Sequence, residues 1–263
     1  MQGQFTQDLR LPPGQSAYGL WLDLKGKVLA DSHVLKKGEN DYLVVSFSAK
    51  AADLRARLES YLIADEVELE DQTGAWAGIL LWGAGAADLA TPAGVLALPS
   101  RRAGAGSRQW LVPIDTFESV RSALAGLAVP ADRATAELAR LQVAIPSVPT
   151  DIGSRDLPNE GSLDDIAISY TKGCYLGQEV MARLKNLGQV RRRLHVVRGA
   201  GPAPAAGTAL FQGGRKVGET RSVASDGDGY LAMAMLSLIN LDAAAGLALD
   251  PGGNAGIKIL QRV

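Results

Sequence analysis

Thirty glycines and twelve prolines interrupt the chain's 263 residues so often that no long helix can be drawn through it. Glycine stands at about 11%, above the usual ~7%, while Trp, Tyr and Phe together number only 14. A chain punctuated this way builds many short elements and packs small residues, which predicts a turn-rich α+β protein and not a helical bundle. The most apolar charge-free stretch, residues 72–87, is broken by Gly74, Gly78, Gly83 and Gly85 and falls short of the ~18 apolar residues a spanning helix needs. With 47% hydrophobic residues there is apolar material for one large or two modest cores, which excludes a disordered or fibrous chain.

Local periodicity orders the elements. Residues 17–24 (AYGLWLDL) and 27–35 (KVLADSHVL) are β-rich runs separated by Lys25-Gly26, the pattern of a hairpin, and a third run covers 42–47. Ser48 reads as the N-cap of a helix over 49–64, where Leu54, Leu58, Tyr61 and Leu62 recur at helical spacing. Strand-like runs return at 67–69, 76–82 and 109–114. Asp115 then caps a helix carrying Phe117, Val120, Leu124 and Leu127, and another helix spans about 131–143 with Leu138 and Leu141 on one face. Pro146, Pro149, Gly153, Pro158 and Gly161 predict a long ordered loop, and loops of that length inside a domain are usually functional. After Gln189, β-rich runs at 194–197, 208–211, 216–223, 230–236 and 257–260 alternate with turns, the mark of a small barrel or sandwich. The expected division is an α+β region over 1–187, of two interleaved lobes, followed by a β-barrel domain over 188–263.

Several kinds of chemistry are excluded. One cysteine cannot form an internal disulfide, and with two histidines it cannot close a structural zinc site, so no metal site is assigned. There is no G-x-S-x-G elbow, no Walker phosphate loop and no dinucleotide fingerprint. The first ten residues hold Asp8 and Arg10 and no apolar run behind a basic start, which leads us to expect a cytoplasmic, reducing location and no membrane partner. The net charge of −1 conceals an asymmetry. Between Val180 and Gly218 there is no acid, while Arg183, Lys185, Arg191, Arg192, Arg193, Arg198, Arg215 and Lys216 give +8. Such a run is either a solvated face or an anion-binding surface.

The segment 171–184 (TKGCYLGQEVMARL) is the most informative. Gly173 and Gly177 permit a tight backbone, and Leu176, Val180, Met181 and Leu184 form a helical stripe. Cys174 falls at or just before the expected helix start, with Lys172 two residues away. Both influences favour a thiolate, while the plainer alternative is a small buried hydrophobe. His33 and His195 fall in strand-like runs, and nothing local brings either to the thiol.

Lys172-Gly173-Cys174-Tyr175-Leu176-Gly177-Gln178-Glu179 resembles the K-G-C-[FY]-x-G-Q-E signature of the YgfZ-type folate-binding proteins, a family related to the T-protein of the glycine cleavage system. Residues 2–8 (QGQFTQD) are similar to that family's Q-G-Q-x-T-x-D, and residues 26–31 resemble its G-[GK]-x-L-x-D turn. Arg140-Leu141-Gln142 and Pro158-Asn159-Glu160-Gly161-Ser162-Leu163 look like the R-L-E and P-x-E-G-S-L segments of the superfamily. The resemblance implies T-protein-like lobes around a tetrahydrofolate site, with a small C-terminal β-barrel. It assigns the cofactor to Glu160, which would accept paired N–H donors from the pterin ring. It adds Asp31 near the reactive nitrogen, Asp151, and Arg140 of the R-L-E segment. Arg192 and Arg193 are expected to meet the folate glutamate tail or a macromolecular partner. Gln178 and Glu179 are expected to hold the turn by hydrogen bonds.

Departures shape the functional expectation. Gln142 replaces the Glu of R-L-E, Val148 stands where the T-protein has a ring-contacting Tyr, and Pro149 replaces the next Gly. Together with the cysteine of the K-G-C motif, these favour a folate-binding protein that supports iron–sulfur cluster assembly or repair. Through it the protein would support tRNA modification, with Cys174 as reactive thiol and Lys172 as its activator. Iron–sulfur client enzymes would be its partners, and a tRNA contact is possible without being required. The rival expectation is a tetrahydrofolate-dependent aminomethyltransferase of the glycine cleavage type, and a third is a folate-gated RNA-binding module. Members of the family usually carry a further strand and helix before Q-G-Q-x-T, so Met1 is expected to be internal, with the natural start some 20–30 residues earlier.

Overall fold

The computed structural model describes residues 1–64, 66–104 and 106–263, which divide into two compact units: 1–48 with 146–263, and 49–145. In the first, β1 (Ser16–Leu22) and β2 (Val28–Lys36) form the expected antiparallel hairpin, and β3 (Tyr42–Val45) pairs with β2. Leu20, Trp21, Leu22, Val28 and Val34 are buried there. Phe5 bridges to Trp21 with ring centroids 5.1 Å apart, so the residues before the hairpin are part of its core.

The second unit begins with α1 (Ala51–Glu59), shorter than its periodicity suggested and with no buried residue. Leu54 and Leu58 are only partly covered and Tyr61 lies beyond its end, exposed, so little packing extends the helix. The run 67–69 forms no strand. β4 (Trp76–Leu81), β5 (Leu96–Pro99) and β6 (Arg108–Pro113) make a sheet of order β4-β6-β5, followed by α2 (Phe117–Leu124) and α3 (Arg133–Gln142). Leu81, Val95, Trp110, Val112 and Val120 pack as its core. Asp132 caps α3 by accepting from the Thr135 amide at 2.8 Å. The side chain of Asp115 does not cap α2, whose N-cap is Thr116.

The chain then returns to the first unit through the breaker-rich segment, a 3-10 turn at Pro158–Gly161, α4 (Asp164–Ala167) and α5 (Gln178–Leu187). All five expected C-terminal strands form: β7 (Arg192–Ala200), β8 (Ala209–Gln212), β9 (Arg215–Asp226), β10 (Gly229–Ser237) and β11 (Lys258–Arg262). Their order is β11-β7-β10-β9-β8. Bridges from Phe211 to Ala248 and from Leu247 to Ile257 curl this sheet into a barrel-like domain. Its core holds Val197, Leu210, Tyr230, Ala232, Ala234, Leu236 and Leu247. The fold is thus mixed α and β with a C-terminal β-barrel-like domain. No helix among the described residues is long and apolar enough to cross a membrane.

Candidate functional site

Two segments far apart in sequence are joined by one side chain. Lys172 is buried, and its Nζ donates to the carbonyls of Gln2 (2.6 Å), Phe5 (2.6 Å) and Gln7 (3.0 Å). The Leu176 amide adds a bond to Gly3 O at 3.1 Å. Burial pushes the Lys172 ammonium down to about 8, while the three carbonyls favour the charged form. Below that pH the group is an ammonium with three donors for three acceptors. Its three donors are thus held on the N-terminal loop, and none is left to hydrogen-bond the thiol.

The rest of the motif is braced in the same way. Tyr175 is buried, its ring 5.4 Å from Lys172 Nζ, and burial, then Tyr170, raises its hydroxyl pKa. Gly177 is the N-cap of α5 at φ +84°, where a Cβ would lie 2.8 Å from Asp23 O and 3.2 Å from Gly26 Cα. The helix start is therefore wedged against the β1–β2 turn. Glu179 is exposed and pairs with Arg183 at 2.9 Å across one helical turn, while Gln178 is half-buried. Between these fixed points Gly173 and Cys174 are exposed. Cys174 stands four positions before the first helical residue of α5.

The breaker-rich loop of the first unit is bolted to the barrel by carboxylates. Asp151 is fully buried and accepts from the amides of Ser147 (2.8 Å) and Ser222 (2.9 Å). Asp156, also buried, accepts from the Gly153 amide (2.9 Å), Arg192 (2.9 Å) and Arg221 (3.2 Å). Glu160 receives Arg192 on both oxygens, Nε at 2.7 Å and Nη2 at 3.1 Å, and the Leu157 amide at 2.8 Å. A forked guanidinium thus lies along the edge that the paired donors of an aminopyrimidine would need.

The residues assigned to the pterin do not fit it as free contacts. Glu160 and Asp151 are committed inside the protein, and Arg192 is held by Glu160 and Asp156 and not presented to a glutamate tail. Arg140, in the other unit, is buried on α3 and donates to Glu137 and to the Ile145 carbonyl. Asp31 accepts from Tyr18 Oη at 3.0 Å within the hairpin. Arg193, next to Arg192 on β7 and so on the opposite face, donates to Ser162 Oγ at 3.2 Å and lines a cavity. His33 and His195 are both buried, and His195 Nδ1 lies 3.0 Å from Arg193 O.

Sequence reasoning missed Asp156 and Arg221, the centre of the ionic cluster. Its one available signal was the acid-free basic run itself, which needs acids from elsewhere. Arg183, Arg192 and Arg198 find them in Glu179, in Asp156 with Glu160, and in Asp226. Lys185 instead sits 3.6 Å over the Tyr170 ring.

The chain is similar to known proteins in sequence and in fold. Residues 1–95 match the GCVT N-terminal domain, and residues 191–258 match the CAF17 C-terminal beta-barrel domain. The chain is 38% identical over 96 residues to the human mitochondrial iron-sulfur cluster assembly factor IBA57, a match covering 32% of this chain and 26% of that protein. It is 28% identical over 232 residues to the tRNA-modifying protein YgfZ of Yersinia enterocolitica, covering 80% of this chain and 68% of that one. The chain is thus similar, over part of its length, to proteins named YgfZ and IBA57. The match spans about a quarter of the human protein's length and about two thirds of the Yersinia protein's. Among solved structures, the glycine cleavage system aminomethyltransferase T from Bartonella henselae superposes with a TM-score of 0.76 at 18% identity, over 93% of this chain and 74% of that one. The fold is therefore that of the T-protein.

Proposed function

We propose that this protein supports iron–sulfur cluster assembly or repair and, through it, tRNA modification, acting in a reducing cytoplasm with Cys174 as its reactive thiol. The supporting observation is the contrast within 172–177. Lys172, Tyr175 and Gly177 are pinned by buried hydrogen bonds and close packing, while the thiol between them is exposed. A fixed, accessible thiol in a reducing compartment can be presented repeatedly to a partner without ordering a loop each time. The names of the YgfZ and IBA57 homologues agree with this role. Iron–sulfur enzymes are the proposed partners.

Tetrahydrofolate is proposed as a ligand on the family likeness alone, and no chemistry is assigned to it, since Glu160, Asp151 and Arg140 already hold partners inside the protein. Likeness to an aminomethyltransferase at 18% identity carries the fold and not the activity.

The test is complementation of a bacterial strain lacking its own YgfZ, read as thiolated nucleosides in its tRNA. The wild-type chain should restore them and a folded Cys174→Ala variant should not; equal restoration by both would remove the thiol from the function. Anaerobic calorimetric titration with tetrahydrofolate tests the ligand separately. Saturable heat with both wild type and Cys174→Ala is expected, and no heat from a folded protein would strike folate from the proposal.

A further inference from the structure

Between the 3-10 turn at Pro158–Gly161, α4, the end of α5 and strands β7, β10 and β11 lies a cavity of about 530 Å3. That is within the ~300–1,000 Å3 range of small-molecule sites. Arg193, Arg262 and Lys185 bring positive charge to its lining, Asp164 and Asp165 negative charge, and Asn159 a carboxamide. Like charges neighbour each other in both sets. Burial, then Arg262, pushes the Arg193 guanidinium down, and burial, then Asp165, pushes the Asp164 carboxyl up. Arg193 and Asp164 also act on each other as opposite charges, so the two sets are partly balanced, with three basic groups to two acidic ones.

Two buried atoms point the same way. Asn159 is 8% exposed, and its Nδ2 donates to Asp164; its Oδ1 makes no hydrogen bond of good geometry among the described residues, although the side chain also interacts with the Tyr170 hydroxyl. Arg193 Nε is buried without a partner among those residues as well, although Nη1 reaches Ser162 Oγ. Buried polar atoms are nearly always bonded, so a carbonyl oxygen lacking a donor beside a guanidinium N–H lacking an acceptor describes what is missing. The oxygen calls for an N–H group and the guanidinium for an anion.

We propose that this cavity binds a small zwitterion of the α-amino-acid type, with its carboxylate on Arg193 and Arg262 and its ammonium on Asn159 Oδ1 and Asp164. A dianionic phosphate would meet the two aspartates, and a simple cation would meet three basic side chains. A ligand carrying both signs satisfies both sets. Neither Cys174 nor Glu160 lines the cavity, so the site stands apart from the proposed iron–sulfur role and does not depend on it.

Saturation-transfer NMR on the full chain, with the twenty amino acids in pools at about 10 mM, tests the site. At least one should bind with a Kd of about 1 mM or tighter. Its N-acetyl derivative, which lacks the ammonium, and its C-terminal amide, which lacks the carboxylate, should each bind about tenfold more weakly. Because a peptide end offers only one of the two groups, this comparison also separates a free amino acid from a peptide terminus. Arg193→Gln should erase the advantage of the free carboxylate, and Asn159→Leu that of the free ammonium, with melting temperatures near wild type. No saturation transfer to any amino acid, or equal binding of the capped derivatives, overturns the proposal. If either variant fails to fold, the capped derivatives on the wild-type protein decide alone.

Discussion

A lysine ammonium has three donors, and Lys172 places each on a different main-chain carbonyl of the first seven residues. Replacing it with Met would keep much of the apolar stem and strand those acceptors. We expect Lys172→Met to lose roughly 2–4 kcal/mol in urea unfolding, and Lys172→Arg not to restore it, since a planar guanidinium cannot aim at three converging carbonyls. His195 gives a residue-scale pH effect. Burial lowers its pKa, so below the unfolded value of about 6.5 the unfolded chain binds a proton that the folded one refuses. Stability therefore falls as pH drops through that value towards the folded pKa. His195→Gln should show a smaller loss of urea midpoint between about pH 7.5 and about pH 5.5 than wild type; an equal loss would assign the acid sensitivity elsewhere.

At the scale of elements, the start of α5 is positioned by contact with a turn and not by a side-chain cap. Gly177 and Gly26 both adopt positive φ, yet a Cβ at each would meet different obstacles. At Gly177 it is backbone, Asp23 O at 2.8 Å; at Gly26 it is chiefly the flexible tip of Met181, Cε at 2.8 Å. Gly177→Ala should therefore cost more than Gly26→Ala, about 2 kcal/mol or above, measured by the same unfolding curves. Strand alternation acts at this scale too. It sends Arg192 to the acidic loop and Arg193 to the cavity, so one basic run serves two different surroundings.

For the first unit as a whole, the decisive connection is between the breaker-rich loop and the barrel. Asp156 is 1% exposed and gathers Arg192 from β7, Arg221 from β9 and the Gly153 amide. Asp156→Asn keeps the shape and leaves two guanidinium groups short of their carboxylate. The expected cost is about 3 kcal/mol, read as a lowered melting temperature with the barrel's far-ultraviolet signature kept until the transition. An unchanged melting temperature would mean that Asp151, the Glu160–Arg192 pair and packing hold the loop without Asp156.

The hairpin, β3, α3 and all five C-terminal strands were legible because alternation and turn residues are local properties of the chain. Where the local signal was thin it misled: α1 runs shorter than its leucines suggested, 67–69 forms no strand, and four-residue β5 went unread. The motif around Cys174 was equally visible. Its physics was not, because Lys172 meets Phe5 across 167 residues and Arg192 meets Glu160 across 32. Periodicity carries no information about which distant carbonyl or carboxylate a charge will find. The sequence by itself thus determined most of the elements and the motif around Cys174, while the thiol's exposure was decided by the fold. Tertiary structure alone decided that Lys172 is a tether, that Glu160 and Asp151 are fastenings and that Arg193 faces a cavity, because burying a charge requires a partner that only the folded chain supplies.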